Sequence, residues 1–171
     1  MNDSTKEFSS KQEKLISNEL GWETVVASGA RPGAPGDIIS EEWLGECKTH
    51  TAPGNKIFFD ALVWDKIQQE AMMRHRKPVL FVDDGSQSLD NTWVLCNEAS
   101  ILQVNTASVD FPFAVRKNVS FDSEKGKVKL KEFFSKSGGG IVFDNMIYSL
   151  TWGTSQVVIM EFSTFKELFD L

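Results

Sequence analysis

One segment limits the fold more than any other: "FFDALVWDKIQQEAMMRHRKPVLFVDD", residues 58–84. Leu62, Ile67, Ala71 and Met72 give its first part an apolar side at helical spacing, and Pro78, which cannot continue a helix, stops it. The chain then runs directly into Val79, Leu80, Phe81 and Val82, an apolar strand closed by Asp83, Asp84 and Gly85. Four successive apolar residues leave a strand no polar face to turn to water, so a sheet built on it needs cover on both sides.

The flanking sequence supplies the other parts of such a sheet. "STKEFSSKQEKLISNELGW" predicts a helix, with Phe8, Leu15, Ile16 and Leu20 on one side and Gly21 as its stop. "WETVVASG" reads as a short strand, and "SGARPGAPGD" as a Gly/Pro loop that delivers the chain to Asp37. "DIIS" and "EWLGECKTH" read as two strands joined by a tight turn near Ser40–Glu42, and "NTWVLCNEASIL" as one or two more. The order is α, β, β, β, α, β, β, so the expected class is α/β, a mixed β-sheet flanked by helices. Beyond residue 105, "GGGIVFDNMIYSL" and "SQVVIMEF" read as strands and "STFKELFDL" as a terminal helix capped by Thr164 and Glu167. We expect a single domain over residues 1–171: a core of about 1–104 and a β-rich and helical C-terminal extension of about 105–171.

Composition narrows the function. With 171 residues, 41% hydrophobic and 25% charged, the chain can bury a core without staples. A net charge of −6 argues against broad, charge-driven nucleic-acid binding and confines any such contact to a local patch. Two cysteines make no disulfide framework, no run of about 18 apolar residues predicts a membrane span, and the polar N-terminus lacks a signal-peptide core; a cytoplasmic protein is expected, in a host's cytoplasm if phage-encoded. His50 and His75 form no zinc motif, and the 137–141 "SGGGI" lacks the Lys-Ser/Thr of a phosphate loop.

The chemistry concentrates in "PGDIISEEWLGECKTH", residues 35–50. Strand alternation puts Glu46 and Lys48 on one face and turns Cys47 to the other, toward the core. If the Asp37 strand pairs with theirs as a hairpin, Asp37 sits beside Glu46. Two carboxylates that close repel unless a cation lies between them, and a hard ion such as Mg²⁺ takes oxygen ligands of this kind. An isolated Glu-x-Lys is most simply a solvated ladder pair, and composition alone gives roughly two [Asp/Glu]-x-Lys matches. Yet Glu46-Cys47-Lys48 is the one match in the chain; it lies in an apolar strand and follows an Asp introduced by a Gly/Pro loop.

"PGD" followed by "ECK", behind a helix bearing acids, resembles the PD-(D/E)xK, restriction-endonuclease-like nuclease superfamily. Over the first 80 or so residues the chain is most similar to archaeal and phage-type Holliday-junction resolvases, through Glu13 in "KQEKLISNELGW", then "TVVASGARPGAPGDI", then "WLGECK". The resemblance implies a restriction-endonuclease-like fold and a Mg²⁺-dependent endonuclease, with Mn²⁺ as a substitute, acting on branched DNA as a homodimer. Asp37, Glu46 and the Cys47 backbone carbonyl would be metal ligands. Lys48 would be the catalytic lysine, and Glu13 the helix acid, ahead of Glu19 and then Glu7. Ser28 and Arg31 would touch DNA phosphate. Apart from the resemblance, Arg74, Arg76 and Lys77 of the one compact basic run are candidate DNA contacts, although cations there also suit a helix C-terminus. The chain departs from that family in its acidity and in residues 105–171. Two other expectations stand beside it: a nuclease of the same fold acting on duplex or single-stranded DNA in restriction or repair, and a catalytically inactive nuclease fold that serves as a binding protein.

Overall fold

The computed structural model describes residues 3–25, 35–51, 58–102, 115–116, 127–129, 148–152 and 155–171. In chain order the elements are α1 (Asp3–Leu20), β1 (Glu23–Thr24), β2 (Ile38–Ile39), β3 (Trp43–Lys48), β4 (Phe58–Asp60), α2 (Ala61–Met73), β5 (Lys77–Asp83), a 3-10 turn (Leu89–Asn91), β6 (Thr92–Asn97), α3 (Glu98–Leu102), β7 (Val115–Arg116), β8 (Lys127–Lys129), β9 (Tyr148–Trp152), β10 (Ser155–Glu161) and α4 (Phe162–Phe169). The architecture is α/β: a mixed sheet in the order β1-β2-β3-β5-β6-β10-β9-β7, and a separate pair, β4-β8.

The apolar strand behaves as its composition demands. β5 lies inside the sheet, parallel to β3 and antiparallel to β6. Its alternate residues enter different cores. Leu80 and Val82 pack with Leu44, Trp64, Ile67, Ala71, Leu95 and Ile159 under α2. Val79 and Phe81 pack with Ile16, Leu20, Trp43, Cys47, Phe162 and Phe165 under α1 and α4. Phe165 meets Phe81 and Trp43 edge-on, with ring centroids 5.9 and 5.3 Å apart.

Several boundaries differ from expectation. Phe58 and Phe59 belong to β4, so α2 starts only after Asp60, whose carboxylate caps the Leu62 N–H. The buried face of α2 is Ala61, Trp64, Ile67 and Ala71, whereas Leu62 and Met72 are about three-quarters exposed. Spacings of three and seven residues from Trp64 set this phase; Leu62 falls on the far side of the helix, and Met72 at the flank of its last turn. α2 ends at Met73, and His75 reverses the chain at φ 56°, ahead of Pro78. "EASIL" is helix rather than strand. α4 starts at Phe162 with no side-chain cap, so Thr164 and Glu167 form no capping box; Thr164 is buried one turn in. β10 and α4 are not an appendage to a core ending near residue 104. β10 pairs with β6 over five positions, and Phe162, Phe165 and Leu168 of α4 complete the second core.

Candidate active site

The hairpin is built from Gly36 onward. Gly36 has φ 62°, and a Cβ there would lie 2.9 Å from the Gly45 carbonyl oxygen, so glycine is required where the loop enters the sheet. Asp37 is then held from both sides: its N–H donates to the Gly45 carbonyl at 2.7 Å, and its own carbonyl accepts from the Val25 N–H at 2.8 Å. β2 and β3 pair Ile38 with Gly45, and continuing that register by one residue sets Asp37 opposite Glu46. Asp37 Oδ2 accepts the Cys47 N–H at 2.8 Å.

Along β3, Leu44 faces α2 and Trp43 and Cys47 face α1 and α4, so alternation turns Glu46 and Lys48 toward α2. Glu46 is buried, and Lys48 Nζ donates to its Oε1 at 2.6 Å. Burial works against the Lys48 charge, but attraction to Glu46, their hydrogen bond and nearby Asp37 outweigh it and raise the ammonium pKa. The Cys47 thiol is buried, and its pKa is pushed well up, first by burial and then by Asp37, Glu13 and Glu46. It belongs to the core, away from the Lys48 ammonium, as the alternation implied.

α1 approaches from the opposite face. Gln12, fully buried, donates from Nε2 to the Lys48 carbonyl at 3.0 Å and fastens the helix to the end of β3. The next residue, Glu13, has its carboxyl pushed up to about 7, first by burial and then by the charges of Asp37 and Glu46, with Lys48 opposing. That coupling brings Glu13 into the same electrostatic group as the hairpin acids. Glu19 instead pairs with Lys166 of α4, and Glu7 pairs with Lys11 on the exposed side of α1.

The other expected residues lie elsewhere. Ser28 and Arg31 fall outside the described residues. Arg76 donates from Nε to the Ser40 carbonyl at 2.8 Å. Lys77 pairs with Glu42 at 2.7 Å and lies over the Trp43 ring at 5.4 Å. Lys77 is in register with Trp43, at the far end of β3 from Lys48, a distance of roughly 17 Å along a strand. These two cations brace the start of the strand, and Arg74 is an exposed helix cap beside them.

Four residues near the site escape a sequence reading. Lys66 on α2 lies 3.8 Å from Glu46 Oε2 and 3.8 Å from Glu70 Oε1, and Glu70 Oε2 accepts the Gly36 N–H at 3.2 Å. Asp83, at the end of β5, accepts from Thr49 Oγ1 and, at 2.7 Å, from the Gly85 N–H. Burial nonetheless raises its pKa, and its second oxygen is buried without a partner. Gln12 had a visible signal, a polar residue between Phe8 and Ile16 at four-residue spacing on the apolar stripe. Lys66 and Glu70 show only an ordinary i,i+4 pair.

Among the described residues no group of three or more His, Cys, Asp or Glu is drawn together into a ready metal cage. Mg²⁺ needs no such cage, since it keeps several waters and takes one or two carboxylates. Asp37 and Glu46, opposed in register, are hard oxygen donors whose mutual repulsion a divalent cation relieves. The donor set therefore fits that ion. Beside it, Lys48, Thr49, His50, Asp60, Val63, Leu80 and Val82 line an open cleft of about 340 Å³.

No family model, curated protein or solved structure matches this chain.

Proposed function

We propose that the chain is a metal-dependent endonuclease of restriction-endonuclease-like fold that hydrolyses DNA phosphodiester bonds. The observation that carries this reading is the hairpin: Asp37 across from buried Glu46, with Lys48 hydrogen-bonded to Glu46. Asp37 and Glu46 would hold Mg²⁺, with the Cys47 carbonyl as a further oxygen donor. The bound ion would supply Lewis acidity and neutralise charge growing on the phosphate. Lys48 keeps its proton and places a positive charge beside the nucleophile and the scissile phosphate. Glu13, partly buried on α1 and with its carboxyl raised first by burial and then by the charges of Asp37 and Glu46, would be the helix acid that supports the metal and its waters.

The substrate proposed is branched DNA, cut by a homodimer that presents two sites to opposed strands, as in recombination or phage DNA processing. Synthetic four-way junctions, linear duplex and single strands, each incubated with and without Mg²⁺, decide both points on one gel. Junction-selective, Mg²⁺-dependent cutting is the expected result, and equal cutting of plain duplex moves the protein to the restriction or repair type. One observation favours a second reading, a binding protein without catalysis: Glu46 is already faced by two ammonium groups, Lys48 and Lys66. On that reading, calorimetry with Mn²⁺ gives no binding heat for the native protein or for Glu46→Ala.

A further inference from the structure

Two lysines face Glu46, and they differ in kind. Lys48 is clamped at 2.6 Å by a strand neighbour. Lys66 comes from α2, its side chain is 56% exposed, and its 3.8 Å separation from Glu46 Oε2 is an ion pair without a hydrogen bond. Such half-exposed pairs are weakly held and easily exchanged. Glu70, one turn further along, stays 3.8 Å from the same ammonium and accepts the N–H of Gly36, the residue before Asp37. Val63, one turn back, lines the cleft next to Lys48. One edge of α2 thus follows the candidate site from its cleft to its loop, with its single cation in the middle.

We propose that Lys66 is a phosphate-binding residue that serves as an exchangeable counterion: it neutralises Glu46 while no divalent cation is bound, and it moves to a non-bridging oxygen of the DNA backbone when one is. The inference rests on the nuclease reading. A divalent ion on Glu46 and an ammonium 3.8 Å away would repel each other, which would drive the exposed lysine outward toward solvent, where a DNA backbone bound at the site could take it. Glu70 keeps the ammonium within reach and so positions it. No bond is made or broken; one charge changes partner.

The test compares native protein, Lys66→Gln and Lys66→Arg with a synthetic four-way DNA junction, with Ca²⁺ in place of Mg²⁺, over a salt series. Loss of one phosphate contact is expected to lower the log-affinity against log-salt slope of Lys66→Gln by about 1, with Lys66→Arg at the native slope. Calorimetry with Mn²⁺ and no DNA is expected to show Lys66→Gln binding the ion as tightly as native protein or more tightly, because a competing cation is gone. Thermal melts of all three should coincide. An unchanged salt slope overturns the proposal, and so does weaker Mn²⁺ binding, which would make Lys66 a support for Glu46 only. If native protein cuts DNA yet either result is found, Lys66 alone loses its role. If native protein neither binds Mn²⁺ nor cuts any DNA, the nuclease reading falls and this proposal falls with it.

Discussion

Asp37 and Lys48 carry different parts of the proposed chemistry, and their substitutions are expected to show it. Asp37→Asn keeps an acceptor for the Cys47 N–H but removes a charge the cation needs. Lys48→Ala removes the charge next to the phosphate. Both variants should fold and bind DNA, and both should lose Mg²⁺-dependent cleavage; native-level cutting by either would dismiss the site. Glu13 gives a pH test in metal-free protein. Its carboxyl titrates near 4.5 when unfolded and about 7 when folded, so the folded state binds the proton more tightly. Stability from this group is full below pH 4.5 and is lost as pH rises through 7, where an ionised Glu13 meets Asp37 and Glu46. Melting temperature should therefore decline between about pH 5 and 7.5 in native protein and decline less in Glu13→Gln. Gly36 has a steric role. Gly36→Ala forces a Cβ against the Gly45 carbonyl at φ 62° and should cost about 1–3 kcal/mol in urea unfolding.

At the scale of elements, legibility in the sequence followed distance along the chain. Asp37, Glu46 and Lys48 lie in one hairpin, where strand alternation and a tight turn decide who faces whom, so their grouping could be read directly. Glu13 depends on the docking of α1; the resemblance names it ahead of Glu19 and Glu7, and in the structure those two are engaged by Lys166 and Lys11. Lys66 and Glu70 were not legible. Their place is fixed by the crossover that lays α2 over β3 on the way to β5, and no local pattern records that. The basic run at 74–77 shows the same limit: its charges are conspicuous in one dimension, while the sheet sets Arg76 and Lys77 at the opposite end of β3 from Lys48. The phase of α2 departs from the spacing of Leu62 and Met72 because Trp64, whose large side chain fills the space against β5, decides which way the helix faces.

At the scale of the whole molecule, the two cores lie on opposite faces of one sheet, and the second is closed by residues close to the end of the sequence. Phe165 is fully buried against Phe81 and Trp43, so Phe165→Ala should cost about 3–5 kcal/mol. Truncation after residue 104 should do more. It removes β10 from beside β6 and α4 from the face shared with α1, and far-ultraviolet circular dichroism should show a largely unfolded chain. A truncated chain that melts cooperatively would restore the view of the C-terminal part as an addition.

The position of β10 also sets a schedule. The acids and lysines of the candidate site all precede β6, whereas β10 begins at Ser155. A nascent chain on the ribosome exposes every one of those groups long before the strand that flanks β6 has been made. Until that strand arrives, β6 has an open edge and the layer that α1 joins has lost its second helix. The residues of the candidate site are therefore all made before the strand and the helix that complete the sheet and the second core beneath them.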